Sequence, residues 1–170
     1  PMATKLLITP NHLSAEMLCE TLNFLLAQNA KRPEIVLFPD WETLPFDKFS
    51  PHDDIISERL KQLHHLQLAQ PVWMIASVQT LMHRLCPPEF LSQHVFILKT
   101  NQTLCIESFR NQLVHAGYRA VSTVLEHGEF TIRGGIFDIF PMGSNTPFRI
   151  EQFDDTVESI RSFDAETQKT

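Results

Sequence analysis

Between Lys5 and Ala76 the sequence alternates short apolar runs with helix-length amphipathic stretches, and this alternation limits the fold more than any other feature. Lys5 to Thr9 (KLLIT) is an apolar run closed by Pro10. Ser14 then offers an N-cap for a helix from Ala15 to about Gln28, along which Leu18, Leu22, Leu25 and Leu26 recur at helical spacing. Glu34 to Phe38 (EIVLF) reads as a second buried strand ended by Pro39, and Asp53 or Asp54 can cap a helix through IISERLKQLHHLQL. Val72 to Ala76 (VWMIA) is a third strand, after which Ser77 caps a short helix through VQTLMHRL that Pro87 and Pro88 stop. Strand, helix, strand, helix, strand implies parallel pairing with helices packed on the sheet.

Beyond Pro88 the pattern changes. A strand is expected over His94 to Lys99 (HVFILK), then one helix over about Ile106 to Ala116 with Gly117 just past its end, then short strands separated by turn signals. The expected fold class is therefore α/β plus α+β: a parallel α/β unit, then a small antiparallel sheet with one helix on it, the boundary falling near residues 88 to 94.

Charge and cysteine usage narrow the function. Acidic residues outnumber basic ones 20 to 14, a net charge of −6, which argues against a surface built to neutralise phosphates and favours a protein partner over bare DNA. Cys19, Cys86 and Cys105 are odd in number and widely spaced, matching neither a disulfide framework nor paired metal ligands. A reducing, cytoplasmic setting fits. No stretch approaches eighteen uninterrupted apolar residues and no signal-peptide pattern is present, so no membrane partner is expected. The chain opens with Pro1 rather than Met, as a trimmed fragment would.

Motifs for chemistry are mostly missing. There is no G-x-x-x-x-G-K-[ST], the turn after the first strand (Pro10, Asn11, His12) has no glycine, and neither G-x-S-x-G nor H-E-x-x-H occurs. His52, Asp53 and Asp54 could hold a metal in principle, but solvated side chains and a helix cap explain them more simply. Cys86 beside Pro87 reads as a half-buried thiol rather than a nucleophile. Arg133 to Gly135 spells the tripeptide RGG, which binds RNA in arrays and is present here once. No catalytic residue, cofactor or metal site is expected in this chain.

The informative stretch is FTIRGGIFDIFPMGSNTPFRIEQFDD, Phe130 to Asp155. In PFRIEQF, alternation puts Phe148 and Ile150 on one face and Arg149, Glu151 and Phe153 on the other, so an aromatic ring lies on the polar face beside an arginine. That pairing is enriched at interface hot spots, although Phe153 folding over the sheet edge to complete a minor core is the competing reading. Gly134 and Gly135 inside a strand mark a bulge or a close backbone approach, and a bulge would re-aim Arg133. If the two strands are neighbours, Arg133 and Arg149 face the same side.

Three segments carry a family resemblance: DWETLPFDKFSPHDDIISERL (Asp40 to Leu60), VQTLMHRLCP (Val78 to Pro87) and EHGEFTIRGGIFDIFPMGSNTPFRIEQFDDTVESIRSFD (Glu126 to Asp164). They resemble the N-terminal module of the bacterial transcription-repair coupling factors, the Mfd family, over about residues 34 to 170. The excision-repair protein UvrB shares the last pattern but has a tyrosine-rich counterpart of the first, so the coupling factors are the better match and UvrB the alternative. The resemblance implies a degenerate, incomplete helicase-like α/β subdomain over residues 1 to 90, and an inserted α+β subdomain over 94 to 170 that docks the damage-recognition ATPase UvrA. It places UvrA-contacting positions on Arg133, Arg149 and Phe153, with Gly134 and Gly135 supporting them. The family's ATP- and Mg-dependent motor, with its contacts to RNA polymerase and double-stranded DNA, is expected outside this chain, and the truncated sheet edge is expected to be exposed. A single-stranded nucleic-acid-binding module is the rival from another class.

Overall fold

The structure is a computed structural model that describes residues 4–29, 32–43, 47–68 and 71–170. Residues 44–46, within the quoted Asp40 to Leu60 segment, lie outside this set. The chain divides into two compact units, Pro1–Leu91 and Ser92–Thr170.

The first unit is a three-stranded parallel sheet of β1 (Lys5–Thr9), β2 (Glu34–Leu37) and β3 (Val72–Ser77), in the order β1-β3-β2. β3 is central because the chain crosses from β1 over to β2 through α1 (His12–Leu25) and returns through α2 (Asp53–Gln67). Right-handed crossovers in opposite directions put the two helices on opposite faces. Side-chain alternation follows suit: Ile35, Ile75, Leu37 and Trp73 pack with Ala15, Leu18, Cys19 and Leu22 of α1, whereas Val36, Val72, Met74 and Ala76 pack with Leu63 of α2 and with Leu81. On this second face Leu63 of α2 packs with residues of β2 and β3, and Leu6 and Ile8 of the edge strand β1 are exposed.

Helix ends differ from the sequence reading in instructive ways. Asn11, not Ser14, caps α1: its side chain accepts from the Ser14 N–H at 2.9 Å, and the helix begins at His12. Asparagine caps as well as serine and comes first after Pro10. His52, not Asp53 or Asp54, caps α2 through its ring nitrogen, which leaves both aspartates in the first turn, where the helix dipole favours negative charge. Ser77 caps α3 (Val78–Met82) as expected, its Oγ accepting from the Thr80 N–H, but the helix ends at Met82, before Leu85, with His83 as an extended C-cap. Pro88 then opens α4 (Pro88–Gln93), where a missing first-turn N–H costs nothing.

One buried charge organises the segment after β2. Arg59 of α2 is 2% exposed, its guanidinium lying 4.3 Å from the ring centroid of Phe38 and 4.0 Å from that of Trp41, and it donates to the Pro39 carbonyl. Burial lowers its pKa to about 10, partly offset by Asp40. The ring sandwich returns some of that desolvation cost and ties residues 38–41 to the helix.

The second unit is a five-stranded sheet, β4 (Arg119–Ala120), β5 (Glu129–Arg133), β6 (Ile136–Ile139), β7 (Phe148–Phe153) and β8 (Thr156–Ser162), adjacent in that order, with α5 (Ile106–His115) packed on it. It is mixed rather than wholly antiparallel, since β4 runs parallel to β5. Gly117 follows α5 at φ +91, as expected of a residue just past a helix end. Residues 94–99 form no strand, contrary to the sequence reading. Phe96 and Leu98 still reach the core, but the chain meets the edge strand β8 only further on, at a single Thr103–Thr156 bridge. The alternation there serves burial without a ladder.

Replacing Arg59 with alanine should destabilise the first unit by about 2–3 kcal/mol through lost ring contacts and packing, and Arg59→Met should recover part of it, as read by urea unfolding.

Candidate interaction surface

The sheet of the second unit has two chemically distinct faces. Phe130, Ile132, Phe137, Ile139, Phe148, Ile150, Val157 and Ile160 point to α5 and form the core with Phe109 and Leu113. Val157 and Ile160 are three apart yet share that face because the β7–β8 register shifts between Glu151 and Gln152, which leaves Glu158 as the extra residue of a bulge. The opposite face carries Thr131 and Arg133, then Ile136 and Asp138, then Arg149, Glu151 and Phe153, then Ser159 and Arg161.

The two glycines do not interrupt a strand. Gly134 and Gly135 are the two-residue turn of the β5–β6 hairpin, with Arg133 paired to Ile136 across it. Gly134 sits at φ +61, the first-position glycine of a type II′ turn. The expected bulge at this point is therefore absent, and the sheet's bulge lies in β8 instead. The expected close backbone approach is present: Gly135 O accepts from the Gln152 N–H at 2.8 Å, and a Cβ on Gly135 would lie 2.5 Å from Gln152 O. This contact brings the β5–β6 turn beside the end of β7, so Arg133 and Phe153 lie at the same end of the same face.

The three residues singled out by sequence have different environments. Phe153 is 67% exposed at the two-residue turn Asp154–Asp155, so it completes no minor core. Arg133 is exposed, and among the described residues no hydrogen bond or ion pair engages its side chain. Arg149 is engaged. Its Nε and Nη2 donate to Oδ1 and Oδ2 of Asp138 at 2.8 and 2.9 Å, its Nη1 donates to Gln168 O at 3.3 Å, and its guanidinium lies 4.9 Å from the Phe163 ring centroid. The hydrogen bonds to Asp138 hold its pKa above the ordinary arginine value.

Sequence reasoning missed two members of this face. Ile136 is 42% exposed, next to Arg133 and opposite Glu151. Asp138 is only 2% exposed although it lies on the polar face, directly opposite Arg149. Reading GG as a two-residue turn rather than a strand interior would have placed both, because alternation then resumes at Ile136. Further along, Glu151 pairs with Arg161 and accepts from Ser159 Oγ at 2.9 Å. The middle of the face is thus neutralised in pairs, while its turn end presents Arg133, Ile136 and Phe153.

Residues 96–170 match the family model described as the UvrB interaction domain. The chain is 50% identical over 163 residues, 96% of its length, to the transcription-repair-coupling factor of Haemophilus influenzae. It is also 50% identical over 131 residues, 77% of its length, to that of Escherichia coli, and 37% identical over 168 residues, 97% of its length, to that of Staphylococcus aureus. The chain belongs to the transcription-repair-coupling factor family. It covers 14%, 11% and 14% of those three proteins, respectively, so it corresponds to a small part of each. The family assignment favours the coupling factors over UvrB itself and makes the second unit a relative of an interaction domain.

Gly135→Ala should cost about 2–3 kcal/mol, since the clash is with backbone that cannot swing away, and Gly134→Ala about 1–2 kcal/mol from the positive φ alone. Urea unfolding would rank them; equal costs would contradict the close approach at Gln152.

Proposed function

We propose that this chain is the part of a transcription-repair coupling factor that recruits the excision-repair damage sensor UvrA to RNA polymerase stalled at a lesion. The observation that carries this reading is the exposed ring of Phe153 beside an unengaged Arg133 and a half-exposed Ile136, within a unit that matches an interaction domain. An aromatic anchor flanked by an arginine is the composition of interface hot spots, where the ring supplies buried area and the guanidinium directed hydrogen bonds. Arg149, Gly134 and Gly135 belong to the same surface, the first as a contact and the glycines as its turn.

Charge favours a protein partner. A surface that tracks phosphates needs several free cations, yet Arg149 and Arg161 are paired with carboxylates and the chain carries −6 overall. In this proposal the chain binds and does not turn over substrate, and needs no cofactor. ATP and Mg, RNA polymerase and double-stranded DNA are engaged by other parts of the full-length, cytoplasmic protein.

Calorimetric titration of the chain against purified UvrA tests the reading. Saturable binding is expected, and Phe153→Ala should weaken it by about 2 kcal/mol, a factor of about 30, with the unfolding midpoint unchanged. A folded Phe153→Ala variant that binds like the wild type would remove this site from the interface.

A further inference from the structure

Asp138 is a carboxylate placed where the sheet needs none for its core. It stands on the polar face of the central strand β6, 2% exposed, and both of its oxygens are taken by one side chain, Arg149 on β7. The register puts the two residues directly opposite each other, so the pair spans one ladder step without bending either strand. A planar guanidinium held through Nε and Nη2 loses rotation about its last bonds, which a single contact would leave free.

A second restraint comes from the far end of the chain. Phe163 packs in a small cluster with Val124 and Phe140, and its ring underlies the Arg149 guanidinium. The turn after it is tied by Gln168 N–H donating to Asp164 O at 2.8 Å, by Asp164 N–H donating to Lys169 O at 2.9 Å, and by the Gln168 side-chain amide donating to Val124 O at 3.0 Å. Gln168 holds φ +59 there, and its carbonyl takes the Nη1 hydrogen bond. Arg149 is therefore fixed from two sides. Of the five guanidinium N–H groups, three are used internally and two, one on each Nη, remain.

We propose that Asp138 is a positioning residue of the docking surface: it sets the Arg149 guanidinium in one orientation, so that its two remaining N–H groups meet acceptor oxygens of the partner. Asp138 itself makes no contact with the partner. The inference rests on the docking role proposed above, and it divides the surface into a pre-oriented cation, Arg149, and a freely moving one, Arg133. Pre-orientation removes an ordering cost that the partner would otherwise meet on binding.

Two readouts test it, and only one involves UvrA. In the free chain, the side-chain Nε–H resonance of Arg149 should be distinct and slow to exchange with water, whereas that of Arg133 exchanges fast; Asp138→Asn should abolish the difference. An Arg149 Nε–H that exchanges as fast as that of Arg133 in the wild-type chain would overturn the proposal, whatever UvrA does. In titrations against purified UvrA, Asp138→Asn should weaken binding about tenfold. Asp138→Asn/Arg149→Ala should bind no more weakly than Arg149→Ala, and Phe153→Ala should cost the same factor with or without Asp138→Asn. Wild-type affinity in Asp138→Asn, or losses that multiply in the double variant, would sink the idea. If thermal melts show that Asp138→Asn does not fold, Arg149→Lys serves instead: it leaves Asp138 a counter-charge but removes the fork. About tenfold weaker binding is expected of it, and unchanged binding would overturn the proposal.

Discussion

The outer face of the second unit depends on one ion pair, that between Asp138 and Arg149. Burying a carboxylate to 2% exposure costs several kcal/mol unless both oxygens are satisfied, and here one guanidinium satisfies both. The pair crosses from β6 to β7 on the face away from α5, and Phe163 and Gln168 close over it. Three parts of the unit, the β5–β6 hairpin, the β7–β8 hairpin and the C-terminal turn, thereby meet at one point on this face, in addition to the β6–β7 ladder that joins the hairpins. The apolar core on the other face holds the sheet together. The ion pair decides what the free face looks like.

That face is organised by charge cancellation. Asp138 with Arg149 and Glu151 with Arg161 neutralise its middle, so neither sign dominates across the strands. At the turn end the arrangement differs, because Gly135 lets the β5–β6 turn close on Gln152 and sets Arg133 and Ile136 beside the end of β7. Exposed apolar area and an unengaged cation then lie at one edge of an otherwise balanced surface. A partner that matched only charge would find little to bind; one that offers a cavity for a ring and acceptors for guanidinium groups finds both within a few residues.

Much of this was legible in the sequence, and the places where it was not have physical reasons. Strands β1, β2 and β3 announced themselves as short continuous apolar runs, the pattern of parallel strands, although only the central β3 is covered along most of its length and the edge strand β1 leaves Leu6 and Ile8 exposed. The face of Phe153 was readable because alternation in PFRIEQF is unbroken. The 94–99 segment misled because a short apolar run reports burial, and burial of Phe96 and Leu98 needs no ladder partner. The glycine pair misled because RGG between apolar residues reads as strand interior until pairing shows Arg133 opposite Ile136. Asp138 was invisible for a related reason: a lone acidic residue on a polar face looks solvated, and its burial comes from Arg149 across the ladder and from the C-terminal turn, contacts remote in sequence. Helix caps were off by a residue or a few because Asn11 and His52 stand just before residues that cap as well or better by type.

The two units use arginine in opposite ways. Arg59 is wedged between the rings of Phe38 and Trp41 with no carboxylate in hydrogen-bond contact among the described residues, and its pKa falls to about 10; Arg149 rests on one ring but answers a carboxylate, and its pKa rises. The first arrangement spends the cation on packing, so that the segment following β2 is held to α2 by surface contact. The second spends it on orientation, because a guanidinium that faces a fixed carboxylate and rests on a ring has one low-energy pose. Orientation satisfies the buried Asp138 carboxylate and leaves two guanidinium N–H groups in fixed directions, whereas packing is of use wherever a loop must stay down. The contrast separates a residue that holds a loop to its helix from one whose guanidinium is held in a single orientation on an outer face.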